Sequence, residues 1–181
     1  MERFFQALAE FPPSSVLDLG GANQANVSFL TNLGHGISPD NVLHYLDRIW
    51  HNPELSASRR REEFFDHALN YHAASFNGAL VWDTLEFLPE DLLDSFIKQL
   101  HILLNPGAPM LILFHGSERE SNIQSWTYRI ASTSMLQLAP LEVRTRSRYY
   151  SNTAIERIFE GFRRVSFFLA HNQIREVLVI R

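Results

Sequence analysis

VLDLGGANQANV, residues 16–27, joins a short apolar strand to a glycine turn and then to the start of a helix. Asp18 ends the strand, Gly20 makes the tight turn, and the helix pattern runs from about Ala25 to Asn32. A strand, loop and helix in this order put backbone N–H groups and a helix N-terminus at the carboxyl edge of a sheet, where ligands of open α/β folds bind. The stretch therefore predicts a ligand cradle.

Strands alternate with helices along most of the remaining chain. The predicted elements are a strand near 36–38, a helix at 41–52, a strand at 78–82, a helix at 89–104 and a strand at 109–115. This alternation predicts a parallel sheet with right-handed crossover connections. The chain ends differently, with a helix at 151–162 and two strand-like runs, RRVSFFLA and REVLVIR. Only HNQI separates the two runs, which is too short for a helical crossover, so we expect an antiparallel hairpin.

Length and composition favour a single domain spanning 1–181. The chain is 45% apolar and 12% aromatic, which suits one compact domain. Its net charge of −4 gives no general attraction for nucleic acid or for an anionic membrane. The sequence contains no cysteine, and its first residues, which include Glu2, Arg3 and Glu10, lack the uninterrupted apolar core of a signal peptide. We therefore expect a cytoplasmic protein without a membrane segment.

Five segments carry the features of a known family in their order and spacing. They are VLDLGGANQ at 16–24, SPDN at 38–41, FFDHA at 64–68, FNGALVWDTLEFLP at 76–89 and LLNPGAPMLILFH at 103–115. Together they resemble the class I S-adenosylmethionine-dependent methyltransferases, and the final helix and hairpin at 151–181 extend the resemblance. It implies a doubly wound α/β fold with a mostly parallel, seven-stranded sheet that ends in an antiparallel hairpin. A short helix at 1–12 precedes this core, and 116–150 is an insertion on the substrate side.

The resemblance implies that S-adenosylmethionine is the cofactor. Asp18 would then accept a hydrogen bond from the methionine ammonium group, and Gly20 would form the turn. Ala22 and Gln24 stand where the family has glycine, and the Gln24 amide could itself bond the cofactor carboxylate. The candidate cofactor-binding residues are Asp18, Gly20, Gly21, Ala22, Asn23, Gln24, Asp40, Asn41, Asp66, His67, Trp82 and Asp83.

Three of these candidates also have a purely structural interpretation. Asp40 lies close to where such folds place an acid that accepts both ribose hydroxyls, but aspartate is also a good N-cap for the following helix. By resemblance Asp66 contacts the adenine amino group with His67 beside it, and a polar loop residue is the alternative. Trp82 belongs either to the core or to the surroundings of the sulfonium, which an aromatic ring attracts.

Methyl transfer depends largely on holding a nucleophile in line with the reactive methyl group. His115, at the carboxyl end of the predicted strand 109–115, is the histidine best placed to act as a base on an acceptor. Asp83 and Glu86 lie on the neighbouring edge and complete the set of candidate catalytic residues. A histidine that merely caps a strand end is the alternative. The histidines show no metal-ligand spacing such as HExxH, so we expect no metal.

The insertion at 116–150 contains the candidate substrate residues. Arg144, Arg146 and Arg148 alternate and would share one face of an extended segment, with Tyr149 beside them. Such a row suits a phosphate or carboxylate of a substrate, although a solvated strand face shows the same pattern. We expect a small-molecule acceptor. An open edge would admit a larger one, and a second subunit of a homo-oligomer could form the other wall.

Three hypotheses of function follow from the sequence. The first is a methyltransferase that acts on an unidentified acceptor. The second is a non-catalytic methyltransferase-like domain whose altered loop has lost the cofactor and whose surface binds a partner. The third, a nicotinamide-dependent oxidoreductase, is disfavoured because GGANQA does not fit GxGxxG and because a C-terminal hairpin is out of place in that class.

Overall fold

The computed structural model describes residues 1–169 and 174–181 and contains alternating helices and strands. The elements are α1 (Glu2–Leu8), β1 (Ser15–Asp18), α2 (Gln24–Asn32), β2 (Gly36–Pro39), α3 (Val42–Trp50), α4 (Ala57–His67), β3 (Gly78–Trp82), a 3₁₀ turn (Thr84–Glu86), α5 (Glu90–Leu103), β4 (Pro109–His115), β5 (Asn122–Ser132), β6 (Met135–Thr145), α6 (Asn152–Ile158), β7 (Arg164–Leu169) and β8 (Ile174–Ile180). Across the described ranges, every helix is too short or too polar to span a bilayer.

The main sheet confirms the predicted α/β architecture. Its strand order is β2-β1-β3-β4-β8-β7, and the strands from β2 to β4 run parallel while β8 and β7 are antiparallel. The described residues form six strands in this sheet, where the resemblance implied seven. The predicted C-terminal hairpin is confirmed as the β7–β8 pair, and its connection at 170–173 lies outside the described residues.

Alternate residues of the central strands pack into two apolar layers. On β3, Ala79 and Val81 face the layer that contains α5, whereas Leu80 faces the layer that contains α1 and α2. The strand β3 is buried on both faces, as a parallel strand covered by helices on each side must be. This arrangement places the carboxyl ends of β1, β3 and β4 side by side at one edge of the sheet.

The insertion at 116–150 folds mainly into a second sheet, the antiparallel ribbon of β5 and β6. Asn26 of α2 joins this ribbon to the core. Its side-chain Oδ1 accepts a hydrogen bond from the Ile130 N–H at 2.9 Å, and its Nδ2 donates to the Tyr128 carbonyl at 3.0 Å. The same Nδ2 also donates to Asp18 Oδ2 at 3.0 Å. The ribbon is therefore fixed beside the end of β1.

Replacing Asn26 by alanine tests this attachment. Asn26 is 1% exposed, so its loss leaves buried backbone and carboxylate groups without partners, and we expect a loss of about 3 kcal/mol in the free energy of unfolding. Urea titration followed by circular dichroism measures it. Asn32→Ala, at the exposed end of the same helix, is the matched control and should change stability by less than about 0.5 kcal/mol. Equal effects of the two substitutions would contradict the assigned role of Asn26.

Candidate cofactor site

The turn after β1 is organised by the carboxylate of Asp18, which is 1% exposed. Oδ1 accepts hydrogen bonds from the Gly20 N–H at 3.0 Å and from Trp82 Nε1 at 2.6 Å, while Oδ2 accepts from Asn26. Gly21 follows with φ +82°, a left-handed conformation that glycine adopts without a steric penalty. The loop thus has the tight turn that the sequence predicted at Gly20.

Trp82 occupies the space directly above this turn. A Cβ atom added at Gly20 would lie 3.0 Å from both Cδ1 and Nε1 of the indole, so the ring rests on the Gly20 backbone. The other face of the ring stacks on Tyr128, with ring centroids 4.9 Å apart and planes inclined by 3°. The Trp82 backbone has φ +55°, which costs a bulky residue about 1 kcal/mol or more. Tertiary contacts therefore hold Trp82 in a locally unfavourable conformation.

A cavity of about 220 Å³ opens beside Trp82 at the carboxyl edge. Its lining includes the aromatic residues Trp82, Trp126 and Tyr128, and the charged residues Asp47, Asp83, Glu142 and Arg144. Three acids against one base, together with three aromatic rings, favour a cationic ligand. Pockets for ligands of cofactor size are generally about 300 Å³ or larger, so such a ligand has to displace part of this wall.

Asn41 takes the capping role that the sequence had offered to Asp40. The N-cap of α3 is Asn41, whose Oδ1 accepts from the His44 N–H at 3.3 Å, so the interpretation of Asp40 as the N-cap is wrong by one residue. Asp40 is buried, and its Oδ2 accepts from the Leu69 N–H at 2.8 Å. Burial raises the pKa of Asp40, while the bond from Leu69 acts against this effect. Asn41, not Asp40, lines the cavity.

Several other candidates do not line this cavity. Asp66 and His67 are exposed on α4, where His67 packs against Tyr45 with ring centroids 5.8 Å apart. Gln24 is exposed at the start of α2, and its amide donates to Ser28 Oγ at 3.2 Å. Ala22 and Asn23 also lie outside the lining, and Asn23 instead caps α2 by accepting from the Ala25 N–H. From the predicted set, Gly20, Asn41, Trp82 and Asp83 line the cavity. Asp18 and Gly21 do not line it, but Asp18 is joined to the wall by its hydrogen bonds from Gly20 and Trp82.

The three candidate catalytic residues cluster at the ends of β3 and β4. Glu86 is fully buried, and its Oε2 accepts from the His115 backbone N–H at 2.9 Å and contacts His115 Nδ1 at 2.6 Å. Arg146 Nη1 lies 3.5 Å from Glu86 Oε1. Burial lowers the pKa of His115, but the hydrogen bond and charge of Glu86 outweigh burial, so the pKa lies above its ordinary value. Burial raises the pKa of Asp83 to about 6.

The arginines of the insertion form ion pairs with acids of the protein. Strand β6 ends at Thr145, so Arg144 lies in the strand and the other two arginines follow it. Each arginine has different acidic partners: Arg144 pairs with Asp47 and Glu142, Arg146 with Glu86, and Arg148 with Glu90. Arg146 is buried and also donates to the carbonyls of Ser117 and Glu118. Tyr149 packs over the guanidinium groups of Arg146 and Arg175. A shared face for the three arginines stays a prediction, and each of them is already paired with an acid of the protein.

Sequence reasoning missed Asn26 and Tyr128, which complete the site. Asn26 carried a usable signal, because it lies four residues before the buried Leu30 on the same helix face and so had to be buried as well. Tyr128 carried none, since only the packing of the ribbon against Trp82 makes it part of the wall. Burial raises the pKa of Tyr128 well above its ordinary value, and the charge of Asp83 adds to the effect.

Fold and site together define an α/β domain that binds its ligand at the carboxyl edge of a mostly parallel sheet. The sequence profile of a family described as "Methyltransferase domain" matches residues 1–162. The chain belongs to this family, and S-adenosylmethionine is the cofactor on which its members depend. None of the curated proteins compared with the chain matches it.

Solved structures show the same fold at low sequence identity. A SAM-dependent methyltransferase from Methanosarcina mazei is 15% identical with a TM-score of 0.51, over 93% of this chain and 91% of that one. The PH0226 protein from Pyrococcus horikoshii OT3 is 14% identical with a TM-score of 0.53, over 99% and 88%. The glycopeptide N-methyltransferase MtfA, complexed with S-adenosylmethionine, is 12% identical with a TM-score of 0.50, over 99% and 92%. At these identities the likeness establishes the fold.

Replacing Glu86 by glutamine tests the pairing with His115. The variant should show a lower His115 pKa, because burial is then no longer opposed by a carboxylate, and NMR titration of the imidazole protons measures it. Glu90→Gln, an exposed acid, is the control and should leave this pKa unchanged.

The same substitution should also change stability in a pH-dependent way. Since the folded pKa of His115 is raised, its contribution is complete below the unfolded value of about 6.5 and is lost as pH rises through the folded value. The difference in the free energy of unfolding between the wild type and Glu86→Gln should therefore be larger at about pH 6 than at about pH 8. An unchanged His115 pKa in Glu86→Gln would contradict the pairing.

Proposed function

We propose that this S-adenosylmethionine-dependent methyltransferase transfers its methyl group to a small-molecule acceptor at the carboxyl edge of the sheet, with His115 as the base. The observation that carries the proposal is the placement of two groups on adjacent strands. The Asp18–Gly20 turn follows β1, and the cluster of Asp83, Glu86 and His115 follows β3 and β4. The turn and the candidate base lie at the same edge of the sheet, and this supports the proposal although His115 itself is not in the cavity lining.

The residues at this edge suit the cofactor in charge and in hydrogen-bonding groups. The carboxylate of Asp18 suits the ammonium group, the Gly20–Gly21 turn allows a close backbone approach, and the Asn41 amide offers a donor and an acceptor at the cavity wall. Trp82 lies on the same turn, so its ring has to move for the fit to be complete. When bound, the cofactor supplies an electrophilic methyl group on a sulfonium.

His115 is oriented for proton transfer by its contact with Glu86. Because the Glu86 carboxylate accepts two hydrogen bonds, from the His115 backbone N–H and from the ring, Nδ1 carries a proton. The opposite nitrogen, Nε2, is then free to accept a proton from an acceptor once the site opens. Glu86 and the buried Arg146 act as positioning residues, since they hold the ring and its charge.

The covering ribbon supports a small acceptor. Residues of both ribbon strands, including Ser125, Trp126 and Glu142, form part of the cavity wall, which leaves little room at the site for a large substrate. The pairing of Arg144, Arg146 and Arg148 with protein acids also removes the basis for a phosphate- or carboxylate-bearing acceptor. We therefore favour a neutral or cationic small molecule with an N–H or O–H group.

Replacing Asp18 by asparagine tests the cofactor assignment. We expect the affinity for S-adenosylhomocysteine to fall more than about tenfold, because the variant loses the charge opposite the ammonium group. Calorimetric titration measures the affinity, and circular dichroism confirms that the variant is folded. Asp94→Asn, an exposed change on α5, should bind as the wild type does. Equal affinities in all three proteins would rule out Asp18 as the ammonium ligand.

The acceptor is tested with cofactor that carries a labelled methyl group. Wild-type protein is incubated with a panel of small amines, alcohols and nitrogen heterocycles, and His115→Gln is assayed on any compound that becomes labelled. We expect transfer by the wild type and a loss of about 100-fold or more in the variant. Cofactor binding without transfer to any compound would favour the non-catalytic domain, and full activity of His115→Gln would remove the base assignment.

A further inference from the structure

We propose that Trp82 is a built-in competitor of the cofactor: in the ligand-free protein its indole N–H holds the carboxylate that the cofactor's ammonium group would use. The inference rests on the proposed function, because it concerns the same Asp18. It goes beyond that function, because the affinity for the cofactor then depends on the replacement of the Trp82 indole by the ammonium group at Asp18. The sequence left two interpretations of Trp82, in the core or facing the sulfonium; the residue is 1% exposed and packs in the core, and it also donates to Asp18.

The indole fills one acceptor position of the carboxylate that we propose for the ammonium group, and only one position, on Oδ2, remains free. Trp82 Nε1 lies 2.6 Å from Asp18 Oδ1, which also receives the Gly20 N–H, and Oδ2 receives the Asn26 amide. A carboxylate offers about four acceptor positions, and three are filled by these donors. An ammonium group brings three donors of its own. Full engagement of the cofactor at Asp18 therefore requires a present donor to leave.

The indole also occupies the space that the cofactor needs above the turn. Its Cδ1 and Nε1 lie 3.0 Å from the position of a Cβ at Gly20, so the ring covers the one residue whose lack of a side chain opens the backbone. Gly20 lies in the turn directly after β1 and Asn26 lies within α2, so these two donors cannot leave Asp18 without a change in the backbone. Trp82 is thus the donor that can leave with the largest gain in space.

Local structure makes Trp82 ready to move. Its φ of +55° is unfavourable for tryptophan, and the pairing of β3 with β4 is irregular between Leu80 and Trp82. The ring is held by Asp18 on its edge and by Tyr128 on its face, both of which belong to other elements. Loss of the Asp18 contact would therefore leave a strained residue with less to retain it.

Trp82→Phe tests the competition directly. Phenylalanine keeps an aromatic ring beside Tyr128 but has no N–H for Asp18, so we expect S-adenosylhomocysteine to bind about tenfold more tightly than to the wild type. Trp50→Phe, at the end of α3 and outside the cavity lining, is the matched control and should bind with wild-type affinity. Calorimetry measures the three affinities.

Tryptophan fluorescence supplies a second measurement. Binding should shift the emission of the wild type and of Trp50→Phe, because the buried Trp82 leaves its site. The shift should be smaller in Trp82→Phe, where only Trp126 of the cavity wall responds to the ligand. Equal or weaker binding by Trp82→Phe, with binding by the wild type intact, would overturn the competition and leave the proposed function standing. Binding by Trp82→Phe alone would support it, whereas no binding by any of the three proteins would overturn both proposals.

Discussion

The buried carboxylate of Asp18 is the constraint on which the candidate site depends. Burial of a charge without partners is strongly unfavourable, so Asp18 collects donors from its own turn, from α2 and from β3. Burial raises its pKa, and the bonds from Trp82, Asn26 and Gly20 act in the opposite direction. One side chain thereby fixes the glycine turn, the start of the helix and the end of a neighbouring strand.

The same requirement reaches the insertion through Asn26. The Asn26 side-chain NH₂ group donates to Asp18 and to the Tyr128 carbonyl, and its oxygen accepts from the Ile130 N–H. The residue that satisfies the carboxylate therefore also positions the ribbon. Tyr128 stacks on Trp82, and the Trp82 indole in turn donates a hydrogen bond to Asp18. The wall of the cavity and the frame of the loop are consequently one connected structure. Under the competition that we propose, a cofactor would exchange partners within that structure.

The sequence predicted those features that depend on local pattern. Apolar runs at β3 and β4, the periodic helix α5 and the turn at Gly20 were all predicted, because each follows from hydrophobic periodicity or from glycine in a strand-to-helix turn. The antiparallel ending was predicted from the shortness of its connection. The ribbon of β5 and β6 was not, since its long strands show a weak and irregular alternation with breaks in register.

Sequence pattern could not predict contacts between residues that are far apart in the chain. Trp82 lies 64 residues from Asp18 in the chain, and Arg146 lies 60 residues from Glu86, so no spacing rule connects them. The acidic partners of Arg144, Arg146 and Arg148 could not be predicted for the same reason, because Asp47, Glu86 and Glu90 lie on other elements. Asp40 and Asn41 differ by one position, which is within the ordinary uncertainty of a helix start.

A crystal structure of the protein with S-adenosylhomocysteine tests the central role of Asp18 most directly. The account predicts that the ligand's ammonium nitrogen lies within hydrogen-bond distance of the Asp18 carboxylate and that the Trp82 indole has left Oδ1. It also predicts that Gly20 contacts the ligand through its backbone. A ligand bound elsewhere, with the indole still hydrogen-bonded to Asp18, would contradict the account.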